Sequence, residues 1–166
     1  MSLIPLTSIQ LIVFDFDGVL TDNRVLVLEN GMEGVFCNRS DGLAFDLLRK
    51  VPIPTMILST ETNPVVKVRA EKLKLPVLHG IDNKGIVLQD YCQKEQIDLN
   101  HVIFVGNDIN DLPAMQIVGY PVAVADAHPA VLKNARYILS AKGGEGAARA
   151  LVSELLDIEF FLQKAD

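Results

Sequence analysis

Leu11-Ile12-Val13-Phe14 shows no polar alternation and ends abruptly at Asp15-Phe16-Asp17-Gly18. A run so short and so apolar reads as a strand buried on both faces, and such strands belong to parallel sheets covered by helices on each side. The pattern recurs. Pro54-Thr55-Met56-Ile57-Leu58, Val77-Leu78, His101-Val102-Ile103-Phe104-Val105 and Val122-Ala123-Val124 are further strand-like runs, separated by segments of helical period. This alternation predicts an α/β fold with a central parallel sheet and helices on both faces.

Helices are predicted from a cap at Ser40 or Asp41 through Lys50, and from Asn63-Pro64 to about Lys74. Asn63 serves there as N-cap and Pro64 as the first helical residue. Others run from Lys84 to about Gln96, from Ile109 to Ile117, and from Gly143-Gly144-Glu145-Gly146, read as a flexible break, to about Phe161. Between the first strand and the first helix, residues 25–28 and 34–37 flank Glu29-Asn30-Gly31-Met32. Asn-Gly between two β-prone runs signals a hairpin. No repeat or linker divides the 166 residues, which read as one domain, 1–166, with a hairpin insertion at about 23–38.

A net charge of −6 argues against nucleic acid or an anionic membrane as the main partner. It leaves room for a phosphorylated substrate, because a bound metal and a few local cations can invert the field of one pocket. No apolar stretch reaches membrane-spanning length, and Cys37 and Cys92 form no CxxC. A cytoplasmic protein with reduced thiols is the expectation.

Polar residues fall after four successive strands: Asp15 and Asp17, Ser59 and Thr60, Lys84, and Asp108 with Asp111. In a parallel sheet all of them converge on the carboxyl edge, where ligands of open α/β sheets bind. Two carboxylates at i and i+2 are costly at a buried strand end unless something positive lies between them, and a hard cation such as Mg²⁺ would serve. The set suits phosphoryl transfer. One carboxylate can act as nucleophile and a second as general acid and base, while a hydroxyl and a lysine bind phosphate oxygens. Singly, each has a plainer reading: an acidic turn, a solvated lysine, a turn serine, a capped helix in Gly106-Asn107-Asp108-Ile109-Asn110-Asp111.

In this order the residues resemble the haloacid dehalogenase-like (HAD) superfamily. Asp-Phe-Asp-Gly-Val-Leu-Thr-Asp (15–22) is similar to its first motif, Ser59 to its second, Lys84 to its third and Gly-Asn-Asp-Ile-Asn-Asp (106–111) to its fourth. The resemblance implies a HAD-like Rossmannoid three-layer sandwich with a small β-hairpin insertion in place of a cap domain. It implies Asp15 as nucleophile, Asp17 as acid and base, and Lys84 in a catalytic role. Mg²⁺ would be held by Asp15, the backbone carbonyl of Asp17, and Asp108, with Asp111 supporting the shell through water or a neighbouring group.

Three further segments resemble the 3-deoxy-D-manno-octulosonate 8-phosphate phosphatase family: Asn-Arg-Ser-Asp-Gly (38–42), Gly-Tyr-Pro-Val-Ala-Val-Ala-Asp-Ala-His-Pro (119–129) and Gly-Gly-Glu-Gly-Ala (143–147). That family implies a sugar acid phosphate substrate and a homotetramer whose hairpins pack together, a neighbour helping to close each site. The chain departs from it at Ser40, at Ser59-Thr60-Glu61 and at Glu145, and these look more like relatives acting on sialic-acid-type nonulosonate 9-phosphates. Ser59, Thr60, Glu61, Arg69 and Lys72 are the expected substrate contacts. Arg69 and Lys72 equally suit the exposed face of an amphipathic helix. Eight- and nine-carbon sugars both stay open. Two other classes are weighed: an inert oligomerisation domain related to acylneuraminate cytidylyltransferases, and a phosphoacceptor signalling module. The latter carries its phosphorylated Asp after the third strand, whereas here the acidic pair follows the first.

Overall fold

Every residue of β1 (Leu11–Phe14) and β6 (Val102–Gly106) is buried, as unbroken apolar strands in a two-faced sheet require. The computed structural model describes residues 4–156 and Ile158. The remaining strands are β2 (Thr21–Val27), β3 (Glu33–Cys37), β4 (Thr55–Leu58), β5 (Val77–Leu78), β7 (Tyr120–Ala123) and β8 (Tyr137–Ile138). The helices are α1 (Arg39–Leu48), α2 (Val65–Leu73), α3 (Lys84–Glu95), α4 (Leu112–Met115), α5 (Pro129–Asn134) and α6 (Ala147–Ala150), the last continuing as a π-helical stretch, Leu151–Leu156.

Six strands form one parallel sheet in the order β5-β4-β1-β6-β7-β8, and β2 and β3 form a separate antiparallel hairpin. From β1 the chain steps outward to β4 and β5, then returns to β6 and steps outward the other way. The strand order therefore reverses between β1 and β6, which opens a crevice at their carboxyl ends. With right-handed crossovers, helices flank both faces. α1 packs on α6 and lies beside α2, whose Leu73 carbonyl accepts from Arg49 Nη1; α3, α4 and α5 pack in sequence on the other side. Both edge strands are only two residues long, which limits the exposed ladder. Among the described residues no helix is long and apolar enough to cross a membrane.

Several local expectations change. α1 is capped by Asn38, whose Oδ1 accepts from Ser40 N, rather than by Ser40 or Asp41. Asp41 instead points across to α6, where its Oδ1 accepts from Ala148 N and Arg149 N. α5 and β8 carry too few residues to show a period. The last predicted helix begins as expected, but residue 157 and residues 159–161 lie outside the described residues.

The glycine segment at 143–146 is packed, not loose. Gly143 N donates to Asp126 Oδ1, and Gly144 N donates to Val19 O. A Cβ on Gly143 would fall 2.1 Å from Gly18 O. The segment is a buckle that clamps the loop after β1 onto the start of α6, and it is not the flexible break that its composition suggests.

Asp41 sits inside this clamp, with Oδ2 buried and unpartnered. Burial pushes its carboxyl up to about 6, against the opposing hydrogen bonds from Arg149 and Ala148. A carboxyl raised in the fold contributes stability that is complete below its unfolded value of about 4 and lost as pH climbs through the folded value. Asp41→Asn keeps an acceptor for both amides and cannot ionise. Relative to wild type it should gain about 1.4 kcal/mol between pH 5 and pH 8 in urea unfolding. A difference that is the same at both pH values would refute this account.

Candidate active site

Asp15 and Asp17 follow β1, Ser59 and Thr60 follow β4, and Asp108 follows β6, so all five reach the carboxyl edge of the sheet. They line one cavity of about 90 Å³, together with Asn23, Asn107 and Asn110. A larger apolar cavity, about 400 Å³, lies at the opposite edge, where Leu11, Pro54 and Thr55 begin or precede their strands. No carboxylate lines it, so the chemistry belongs to the smaller one.

Lys84 is the first residue of α3, whose N-cap Asn83 accepts from Ile86 N. Its side chain has no exposed surface, and Nζ lies 2.5 Å from Asp15 Oδ1 and 2.6 Å from Asp111 Oδ1. Burial alone would lower the Lys84 ammonium, but the two carboxylates outweigh it and hold it above its ordinary value. Asp111 is saturated: its Oδ2 accepts from Asn107 N at 2.8 Å and from Asp108 N at 3.1 Å. It shapes the loop after β6 and does not line the cavity. Asp108 fulfils the plainer reading as well, accepting from Ile109 N at the head of a short 3₁₀ turn while also facing the cavity.

The site is anionic. Burial and then the nearby Asp111 charge push the Asp15 carboxyl up to about 7, against the pull of Lys84. Asp17 is also raised, by burial first and then by Glu61, against a hydrogen bond from Thr21. Ser59 Oγ accepts from Glu61 N, which leaves its single O–H free to donate to an anion. Gly18 has φ +76°, and a Cβ there would come within 2.0 Å of Asn107 Nδ2. The turn that follows the two carboxylates therefore needs glycine.

The expected sugar contacts divide. Glu61 stands near Asp17, but its Oε1 accepts from both Thr62 N and Asn63 N. Arg69 and Lys72 line a different cavity, about 520 Å³, between α1 and α2, and Arg69 Nη2 donates to Asn38 O. A single subunit does not bring these two cations to Asp15. Three asparagines of the site escaped the sequence reading. Asn107 and Asn110 stand inside the acidic motif, read there only for its acids. Asn23 carries a left-handed φ of 64°, a conformation asparagine tolerates.

The donor set fits a hard divalent cation. No described residue lining the cavity is cationic, and its carboxylates and amide oxygens are hard ligands. Asn107 Oδ1 is buried with no donor. Among the described residues, no three His, Cys, Asp or Glu side chains form a metal cluster by themselves. A cation here would rest on Asp15, Asp108 and neutral oxygens, which accords with the expected use of the Asp17 carbonyl.

Known proteins resemble this chain in both sequence and fold. A family model described as haloacid dehalogenase-like hydrolase matches residues 59–151. The chain is 35% identical over 150 residues to the 3-deoxy-D-manno-octulosonate 8-phosphate phosphatase KdsC of Escherichia coli K12, covering 90% of this chain and 80% of that protein. A Streptomyces avermitilis structure ascribed to the HAD hydrolases shares 48% identity over 93% of this chain and 88% of its own, with a TM-score of 0.89. The Moraxella catarrhalis 3-deoxy-D-manno-octulosonate 8-phosphate phosphatase, solved with magnesium ion, phosphate ion and KDO, superposes with a TM-score of 0.87 at 26% identity, over 96% of this chain and 94% of its own.

Two buried carboxylates sharing one ammonium make the triad sensitive to loss of its cation. Lys84→Met should destabilise the fold by about 3–5 kcal/mol at neutral pH, because it leaves buried charge uncompensated. Added Mg²⁺ should recover part of that loss, read as a shift of the urea midpoint. A variant as stable as wild type would show that Lys84 does not balance this charge.

Proposed function

This chain belongs to the haloacid dehalogenase-like hydrolases, within the family of the KdsC phosphatases, and we propose that it is a Mg²⁺-dependent phosphatase of a 3-deoxy-2-keto sugar acid phosphate. 3-Deoxy-D-manno-octulosonate 8-phosphate is the first candidate, since the relatives are named for it. The observation that carries this reading is the convergence of Asp15, Asp17, Ser59 and Asp108 on one small anionic cavity with Lys84 locked behind Asp15. An inert scaffold has no use for so costly a cluster of charge.

Bound Mg²⁺, held by Asp15, the Asp17 carbonyl and Asp108, would neutralise phosphoryl oxygens. Lys84 ties up Asp15 Oδ1, which leaves Oδ2 to attack phosphorus. As the Asp15–phosphorus bond forms, the bond from phosphorus to the sugar oxygen breaks. That oxygen leaves with its electron pair and takes the Asp17 proton. Asp17, now a carboxylate, then takes a proton from water, whose oxygen attacks phosphorus and returns Asp15 free. Ser59 and the amides about Thr60 hold the phosphate oxygens. Asp15→Asn should abolish turnover of the sugar phosphate and leave the unfolding free energy in urea within about 1 kcal/mol of wild type, since Lys84 keeps Asp111 as partner. The check is phosphate release from eight- and nine-carbon sugar acid phosphates, with and without Mg²⁺. A near-wild-type rate for the variant, or no turnover of either substrate by the wild type, would overturn the reading.

A cavity of about 90 Å³ is small beside the roughly 300–1,000 Å³ of usual ligand pockets, which suits a phosphate better than the sugar attached to it. Walls for the sugar must come from elsewhere. The hairpin leaves Val25, Leu26, Val27 and Phe36 each more than half exposed, an apolar surface of the kind a partner covers. A homotetramer with hairpins at its centre supplies those walls. Arg69 and Lys72, which open away from Asp15, would then serve a neighbour's pocket. Glu61 beside Asp17 and this basic pair favour a nonulosonate 9-phosphate as second candidate, since a longer sugar acid reaches further from the phosphate. Val27→Asp should dissociate the assembly in sedimentation and lower kcat/KM for the sugar phosphate at least about tenfold more than for an aryl phosphate. Unchanged sugar specificity in a monomer would show that no wall is supplied in trans.

A further inference from the structure

Thr21 is the first residue of β2, and it is fully buried. Its Oγ1 has three partners. Gly18 N donates to it at 3.1 Å and Asn23 N at 3.2 Å, while Asp17 Oδ1 lies at 3.3 Å. A hydroxyl has two acceptor lone pairs and one proton. Both lone pairs are taken by backbone N–H groups, so the proton has one direction left, toward Asp17 Oδ1.

The backbone fixes this arrangement. Asn23 takes a left-handed φ of 64°, inside the register shift of the hairpin between Thr21 and Val25. That bulge turns the Asn23 N–H back onto Thr21. On the other side Gly18 holds φ +76° and brings its N–H onto the same oxygen. Behind them, a Cβ on Gly143 would meet Thr21 O at 3.1 Å, so the strand start cannot slide away.

From this we propose that Thr21 is a positioning residue for the leaving-group step, an inference that rests on the acid and base role of Asp17 argued above. Its hydroxyl, held as a compulsory donor, pins Asp17 Oδ1. Oδ1 cannot carry the acid proton without facing another proton, because Thr21 has no lone pair left to accept it. The proton that Asp17 delivers therefore sits on Oδ2, and the carboxyl is held in one rotamer. The same hydroxyl joins Asp17 to the root of the hairpin, so the orientation of the acid depends on a strand that otherwise extends away from the site.

The test uses the full chain with Mg²⁺ present and compares an alkyl phosphate, the sugar acid phosphate, with p-nitrophenyl phosphate, whose leaving group hardly needs a proton. Thr21→Val should lower kcat for the alkyl ester by about 10–100-fold, part of what a general acid supplies, and lower kcat for the aryl ester by less than about 3-fold. KM should change little for either. Thr21→Ser, which restores the hydroxyl, should stay within about 3-fold of wild type on both. Thr21→Ala is read in the same way and replaces Thr21→Val if the latter melts below the assay temperature. Equal losses on the two esters, or a serine variant as slow as the valine one, would overturn the proposal. Asp17→Asn is run alongside. If it discriminates between the esters and the Thr21 variants do not, the role of Thr21 falls and that of Asp17 stands. If Asp17→Asn itself shows no discrimination, the reading of Asp17 falls and takes this proposal with it.

Discussion

One ammonium between two carboxylates, out of reach of solvent, is the contact on which the catalytic edge depends. Lys84 lies between Asp15 and Asp111 with no exposed surface. Desolvating three charges costs several kcal/mol per ion, and mutual attraction offsets that only with good geometry and further hydrogen bonds. Asp111 has those bonds, from Asn107 N and Asp108 N. Through Asp111 the lysine sets the loop after β6, and through Asp15 it sets the loop after β1. Two strand ends and the first turn of α3 are thereby tied at one point. With both carboxylates ionised the triad carries one negative charge in excess, a state that a divalent cation bound next to it favours.

Much of this was legible in the sequence because it is local. The run at 11–14 reads as a strand buried on both faces and the run at 101–105 as another strand, and both form, buried and side by side in the middle of the sheet. Lys84 is predicted to open a helix and does so. The convergence of residues after β1, β4 and β6 follows from parallel strands alone. Other features depend on partners far along the chain. Asp41 looks like the cap of its own helix but bonds to amides 107 and 108 positions away. The glycines at 143–146 look flexible by composition and are packed, because the backbone of 18–22 lies against them. Arg69 and Lys72 show their charge in the sequence, but not the direction in which α2 turns them. α5 and β8 are too short for any period to emerge.

The hairpin shows a different kind of incompleteness. Its Asn30-Gly31 turn and its strands follow the local rules, with Gly31 N donating to Leu28 O and φ +81° at the glycine. Val25, Leu26, Val27, Leu28 and Phe36, however, face outward, on both sides of the ribbon. An isolated two-stranded ribbon is marginal in water, and this one is braced along β3, where Val35 and Cys37 pack on the core. Asn63 Nδ2 donates to Glu33 Oε2, and Asn38 Nδ2 donates to Gly144 O. The ribbon is thus held at its root by Asn38 and beside its turn by Glu33, while much of β2 stays exposed.

The buckle at 143–146 bears on the order in which the chain can mature. Val19 accepts its bond from Gly144, and Asn38 reaches Gly144 across 106 positions. Contacts that distant close slowly, because loop entropy must be spent before they form. On a ribosome the first motif emerges well before the buckle, and its loop lacks that clamp until residue 144 has been made. A fragment ending before the buckle would carry every acidic residue of the site and still lack the clamp that holds the loop of the first two in place.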